Sequence, residues 1–268
     1  MKSDDRAIGI FDSGLGGLTI LKEVRKILPK ENIIYFGDTA HVPYGSKSKE
    51  TVTTYSLDIA SFLESKKVKM ILIACNTASA LSLEAVKKHI KVPVLGVITP
   101  GAKRAAAASK NKKILVLGTE STVKSQAYPK HIKQIDKTVD TAQRACPLFV
   151  PIIEEGLLEG NITDAAIRHY LEPAKIFKAD TVILGCTHYP VIKKRIARIF
   201  GKNVTLVDSA QEIAKETKSL LTKNACLKTS GKAKVHIYAS DSPDRFAKLS
   251  ARIIGGKIPK VRIKKLNI

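Results

Sequence analysis

The chain has 268 residues, 44% of them hydrophobic and 26% charged, the balance of an ordinary globular protein that can bury one large or two modest cores. No run reaches the roughly 18 apolar residues of a membrane span, and no zinc-finger or basic-zipper pattern accompanies the excess of 46 Lys and Arg over 24 Asp and Glu. The formal charge of +22 attracts polyanions and acidic metabolites without choosing between them. Because the lysines are spread along the chain, with only a mild concentration in the terminal KIPKVRIKKLNI, we read a solvated basic surface and expect no specific nucleic-acid site.

In chain order, strand, polar loop and helix recur. MKSDDRAIGIF puts acids before a short apolar run that turns into glycines; this is not a secretory signal, and a cytoplasmic protein is expected. AIGIF reads as a strand entering DSGLGG, followed by Leu18, Leu21, Val24 and Leu28 at helical spacing up to Pro29. ENIIYF is a second strand, ending at Gly37-Asp38 before the loop TAHVPYGS, and Val52, Tyr55, Ile59 and Phe62 mark an amphipathic helix. VKMILIA is the third strand, with a helix over about 79–90 after CNT, and VPVLGVI is a short fourth between Pro93 and Pro100.

The cycle then restarts. AKRAAAAS reads as a helix on alanine propensity, KKILVLG as a strand entering TEST, and CPLFVPII as a strand ending at Glu154-Glu155. Ile167, Tyr170, Leu171 and Ala174 predict a helix with a Pro173 kink; TVILG is a strand, with Val191, Ile192, Ile196 and Ile199 on the helix beyond it. After NVTLVDS, Ser209 and Glu212 have capping-box spacing. KVHIYASDSP is a strand entering a helix with Pro243 in its first turn, and VRIKK a basic edge strand. Two such rounds predict an α/β fold of two pseudo-symmetric lobes, residues 1–97 with 208–268 and residues 98–207, each a mostly parallel sheet flanked by helices with the site in the cleft between them.

The four cysteines lack metal-type spacing and are expected to be free thiols; Cys146 and Cys226 read as small buried hydrophobes. Cys75 and Cys186 differ, because MILIACNTAS and TVILGCTHYP share one pattern: an apolar run, a small residue, a cysteine, then polar groups. In open α/β sheets ligands bind beyond strand carboxyl ends, beside helix N-termini that favour anions. Asp12-Ser13, Asp38, Tyr44-Gly45, Cys75-Asn76-Thr77, Thr119, Glu154 and Cys186-Thr187-His188 fall there. Asn76, Thr77 and Thr187 suit a carboxylate, and a helix N-terminus is expected to lower each thiol's pKa.

One thiol per lobe exceeds what nucleophilic catalysis needs. It fits inversion at carbon, where a base removes a proton from one face and an acid delivers one to the other. Asp12 beside one thiol, and His188 with Glu154 beside the other, suit proton management. Asp38 either caps its strand end or braces the Tyr44 loop, and Thr119 and Thr122 either touch ligand or cap the next helix. A dinucleotide reading of DSGLGG lacks its third small residue, which is Thr19, and explains neither cysteine.

FDSGLGGLT, GDTAHVPYGS, ACNTAS, CPLFVPIIEEG and LGCTHYP, in this order, resemble the motif set of the glutamate racemases in the aspartate/glutamate racemase superfamily. The resemblance implies Cys75 and Cys186 as paired acid/bases, Cys75 working on D-glutamate and Cys186 on L-glutamate. Asp12 would assist Cys75, and Glu154 with His188 would assist Cys186. It implies substrate contacts at Asp12, Ser13, Tyr44, Gly45, Asn76, Thr77, Thr187 and His188. It implies no metal, pyridoxal phosphate or nucleotide cofactor, a role in supplying D-glutamate for peptidoglycan, a homodimer, and a cell-wall precursor as activator in some members.

Overall fold

The computed structural model describes residues 3–254 and 259–266; Lys257, Ile258, Asn267 and Ile268 of the basic tail lie outside the described residues. The first round runs β1 (Ile8–Asp12), α1 (Leu18–Ile27), β2 (Ile33–Gly37), α2 (Lys49–Ser65), β3 (Met70–Ile73), α3 (Asn76–His89) and β4 (Val94–Gly96). Then come α4 (Ile98–Ala108), β5 (Lys113–Gly118), α5 (Glu120–Ser125), α6 (Ala127–Ile135), β6 (Asp140–Ala145), α7 (Phe149–Glu154), α8 (Asn161–Ala174), β7 (Thr181–Gly185), α9 (Lys193–Phe200) and β8 (Thr205–Val207). The chain continues through α10 (Ala210–Lys223), β9 (Val235–Ala239), α11 (Pro243–Ile254) and β10 (Val261–Ile263).

All described strand pairs are parallel. They form a sheet of order β10-β9-β2-β1-β3-β4 and another of order β6-β5-β7-β8. The run β2-β1-β3-β4 repeats the order of β6-β5-β7-β8, so β3 and β7 are equivalent strands. In each sheet the order turns back between the first and third strands of the round, which opens a crevice at their carboxyl ends. Cys75 follows β3 and Cys186 follows β7, each in the corresponding crevice.

Alternation along the strands divides the cores. Ile8 and Ile10 of β1 face α1 and α10, where Leu18, Leu21, Val24, Ile213 and Leu221 are buried. Phe11 of β1 and Ile71 and Ile73 of β3 face α2 and α3. In the second sheet Ile114 and Val116 pack with Ile98, Ala102, Tyr128 and Ile132, and Leu115 and Leu117 with Phe149, Ile153, Ile167 and Leu171. Each fully buried aliphatic or aromatic side chain contributes about 1.5–3 kcal/mol by leaving water, so the strands are held on both faces.

Four local readings are corrected. CPLFVPII is not a strand. Leu148 is half exposed while Phe149, Val150 and Ile153 are buried, the one-sided spacing of a helical turn, and Pro151 lies in the first turn of α7, where its missing N–H costs no helical bond. The strand of this region is β6, the polar DTAQRA at the sheet edge. The Ser209–Glu212 capping box does not form, because Ser209 has helical backbone angles and its side chain makes no cap bond. Pro173 sits one residue from the end of α8, before a 3-10 turn at Lys175–Phe177, and ends the helix rather than kinking it. The segment after Cys186 is a 3-10 turn at Tyr189–Ile192 followed by α9, not one helix.

Candidate active site

The loops at the carboxyl ends of the two sheets converge on one cleft of about 270 Å³. It is lined by Ser13, Pro43, Tyr44, Gly45, Cys75, Asn76, Thr77, Thr119, Val150, Cys186, Thr187 and His188. Both thiols, one from each sheet, therefore face the same space, and Ser13, Tyr44, Gly45, Asn76, Thr77, Thr187 and His188 join them there. Asp12 and Glu154 stand directly behind the lining. Thr187 Oγ1 donates to Asp12 Oδ1 at 3.2 Å, and Gly14 N–H donates to Asp12 Oδ2 at 3.0 Å. Glu154 Oε1 lies 2.6 Å from His188 Nε2, and His188 Nδ1 lies 3.8 Å from Cys186 Sγ. Glu155 instead pairs with Arg245 at 2.7 Å.

Local chemistry explains these placements. Cys75 is the N-cap of α3, its Sγ accepting from Ala78 N–H at 3.5 Å, and its thiol donates to Ser13 Oγ at 3.7 Å. The helix consequently begins at Asn76, earlier than helical periodicity indicates. Asp38, fully buried, accepts from Tyr44 OH at 2.6 Å and Ser240 Oγ at 2.7 Å and lies 2.8 Å from His41 Nδ1. It braces the Tyr44 loop. Thr119 caps α5, accepting from Thr122 N–H at 3.2 Å, and it also lines the cleft.

The expected lowering of the thiol pKa is overturned at Cys75. Burial pushes it up to about 12, the negative charge of Asp12 adds to the effect, and the Ala78 N–H only partly opposes them. Burial likewise raises the Asp12 carboxyl against the His188 charge and the Gly17, Gly14 and Thr187 hydrogen bonds. Burial alone would lower His188, but its hydrogen bonds to Cys186 and Glu154, together with their negative charge, hold its pKa well above the ordinary imidazole value.

The Asp/Glu/Hydantoin racemase family model matches residues 18–217. A glutamate racemase of Geobacter metallireducens is 50% identical over 254 residues, covering 94% of each chain. The chain belongs to the glutamate racemases of this family. A crystal structure of glutamate racemase from Francisella tularensis in complex with D-glutamate superposes with a TM-score of 0.93 at 38% identity, covering 98% of this chain and 99% of that one. The Escherichia coli glutamate racemase in complex with L-glutamate and the activator UDP-MurNAc-Ala gives a TM-score of 0.81 at 29% identity, covering 97% and 98%.

In this racemase cleft the contacts between the two lobes, rather than the residues that make them, escape the motif reading. Thr77, Thr119 and Thr122 form a hydroxyl cluster across the two sheets, with Oγ1 separations of 2.9 Å for Thr77–Thr119 and for Thr119–Thr122. A Cβ on Gly16 would run into Thr187 Oγ1 and lie 2.6 Å from His188 Nδ1, and one on Gly45 would lie 2.6 Å from Thr119 Cβ. Gly16 and Gly45 thus let the lobes approach, and no dinucleotide pyrophosphate is needed to explain Gly16. No Lys or Arg lines the cleft among the described residues, so an anion there is met by hydroxyls, amides, backbone N–H groups and the His188 imidazole. A larger groove of about 780 Å³, bordered by Val42, Pro151, Arg245 and Leu249, opens beside Pro43, Val150 and Glu154 but contains neither thiol. Among the described residues no cluster of His, Cys, Asp and Glu could hold a metal ion, and no helix is long and apolar enough to cross a membrane.

Proposed function

We propose that this chain interconverts L-glutamate and D-glutamate by proton transfer at Cα between two cysteines. The thiolate of one cysteine takes the Cα proton, and the C–H electron pair spreads into the adjacent carboxylate as a planar carbanion. The thiol of the other cysteine then delivers its proton to the opposite face, and the two sulfurs have exchanged protonation states with no net oxidation. Cys186 is the base toward L-glutamate and Cys75 toward D-glutamate. The observation that carries this reading is the convergence of Cys75 and Cys186, from topologically equivalent strands, on one cleft.

Each thiol has its own proton machinery. His188, positively charged and held by Glu154, stabilises the Cys186 thiolate. Burial, with the charge of Asp12 adding to it, keeps Cys75 protonated in the resting protein. Ser13, Tyr44, Gly45, Asn76, Thr77, Thr187 and His188 hold the substrate, with the α3 N-terminus favouring a carboxylate. The lobe boundary in this reading separates residues 1–97 and 208–268 from residues 98–207. It is supported by the packing of Ala210, Ile213 and Leu221 on the first core and of Ile98, Ala102 and Ala105 on the second. The enzyme needs no cofactor, works in the cytoplasm as a homodimer, feeds D-glutamate to peptidoglycan synthesis and accepts a cell-wall precursor as activator.

Polarimetry tests the substrate assignment. The rotation of L-glutamate should decay to zero and that of D-glutamate likewise, with L-aspartate unchanged. Decay with aspartate and not glutamate would assign the site to a sibling activity.

A further inference from the structure

The Asn76 side chain reaches the cleft from the first turn of α3, beside the first sheet, yet its partner belongs to the other core. Tyr128 of α6, fully buried with Ile98, Ile132 and Val207, places its hydroxyl 2.7 Å from Asn76 Oδ1. That separation is typical of O–H···O and short for N–H···O, so the amide oxygen faces the tyrosine. The second neighbour of the phenol, Ser209 Oγ, is at 3.4 Å, too long to compete. Gly101 of α4 leaves room for the group, since a Cβ there would lie 2.8 Å from Ser209 Oγ and 3.2 Å from the phenol oxygen. The Asn76 side chain makes no other hydrogen bond among the described residues, and its Nδ2 is not among the buried polar atoms without a partner. Among the described residues that donor is left without a protein partner, on a side chain that lines the cleft.

We infer that Tyr128 is a positioning residue for the racemisation: by donating to Asn76 Oδ1 from across the lobe boundary, it fixes the amide so that Nδ2 donates to a carboxylate of the substrate. The inference rests on the function proposed above. Without the phenol proton the amide can turn its oxygen toward the carboxylate, where it repels instead of donating. Burial raises the Tyr128 pKa above the ordinary phenol value, so the donor persists across the working pH range. The tyrosine thereby couples the relative placement of the lobes to the polarity of one substrate contact.

The test is a double-mutant cycle with Tyr128→Phe and Asn76→Ala, read as kcat and KM in both directions. Tyr128→Phe should raise KM for L- and D-glutamate alike by about tenfold while kcat changes less than about threefold. The double variant should be no worse than Asn76→Ala alone. A KM for Tyr128→Phe within about twofold of the parent, or effects of the two substitutions that multiply, would overturn the inference while leaving the racemase reading intact. A parent protein inert toward glutamate would overturn both. Should Tyr128→Phe not fold, Asn76→Asp decides: it keeps an acceptor for Tyr128 but loses the Nδ2 donor, and parental glutamate affinity in that variant would contradict the role.

Discussion

At Cys75 two influences compete and burial prevails. A cysteine capping a helix is expected to ionise readily, but this one is 5% exposed and close to the buried Asp12. Its sign follows directly: with the pKa pushed up to about 12, Cys75 rests as a thiol, the acid form ready to donate. The thiolate absorbance at 240 nm lost on Cys75→Ala should therefore be negligible up to pH 10; a Cys75-dependent signal near pH 8 would contradict this. On the proposed two-base mechanism either sulfur is nonetheless indispensable, because each would serve one face. Cys75→Ser and Cys186→Ser should each lower kcat about a thousandfold or more in both directions, within the range set by loss of a general acid or base. Near-parental turnover by either variant would refute paired acid/base roles.

At the scale of elements, legibility followed hydrophobic pattern. β1, β3, β5 and β7 are short apolar runs ending in polar residues, and they were readable because central parallel strands are buried on both faces. β6 was not, since an edge strand with partly exposed positions carries DTAQRA rather than an apolar run. The apolar CPLFVPII beside it reads as a strand instead, as eight residues cannot separate strand from helix by pattern alone. The cysteines, His188 and the threonines were legible as motifs. Tyr128 and Gly16 were not, because their importance lies in contacts across the lobe boundary that no local spacing encodes. Gly16 offers a direct check. Gly16→Ala should force Thr187 and His188 away and lower kcat about a hundredfold, since a displacement of about 1 Å at catalytic groups costs that much. Activity within threefold of the parent would show that the loop yields freely.

Across the molecule, two sheets of the same strand order supply one sulfur each, and the opposite ends of the strands carry the structural anchor. Lys69, its side chain fully buried, pairs with buried Glu31 at 2.6 Å and donates to Asp4 O at 3.1 Å and Cys226 O at 2.7 Å. Glu31 in turn accepts from Lys228 N–H at 2.8 Å. This cluster ties the N-terminal segment, the start of β3 and the chain beyond α10 together, far from the cleft. Lys69→Met leaves the Glu31 charge buried without its partner and should cost about 3–5 kcal/mol in urea unfolding; a loss under 1 kcal/mol would mean that water or rearrangement replaces the lysine. The anchor holds the first lobe as a frame against which the second places Cys186. Whether two sulfurs then act from opposite faces is decided most directly by following L-glutamate in D₂O at early conversion. The expected result is deuterium at Cα in the D-glutamate formed and protium retained in the L-glutamate remaining. Deuterium entering the unreacted L-glutamate as fast as the product would mean that a single base serves both faces.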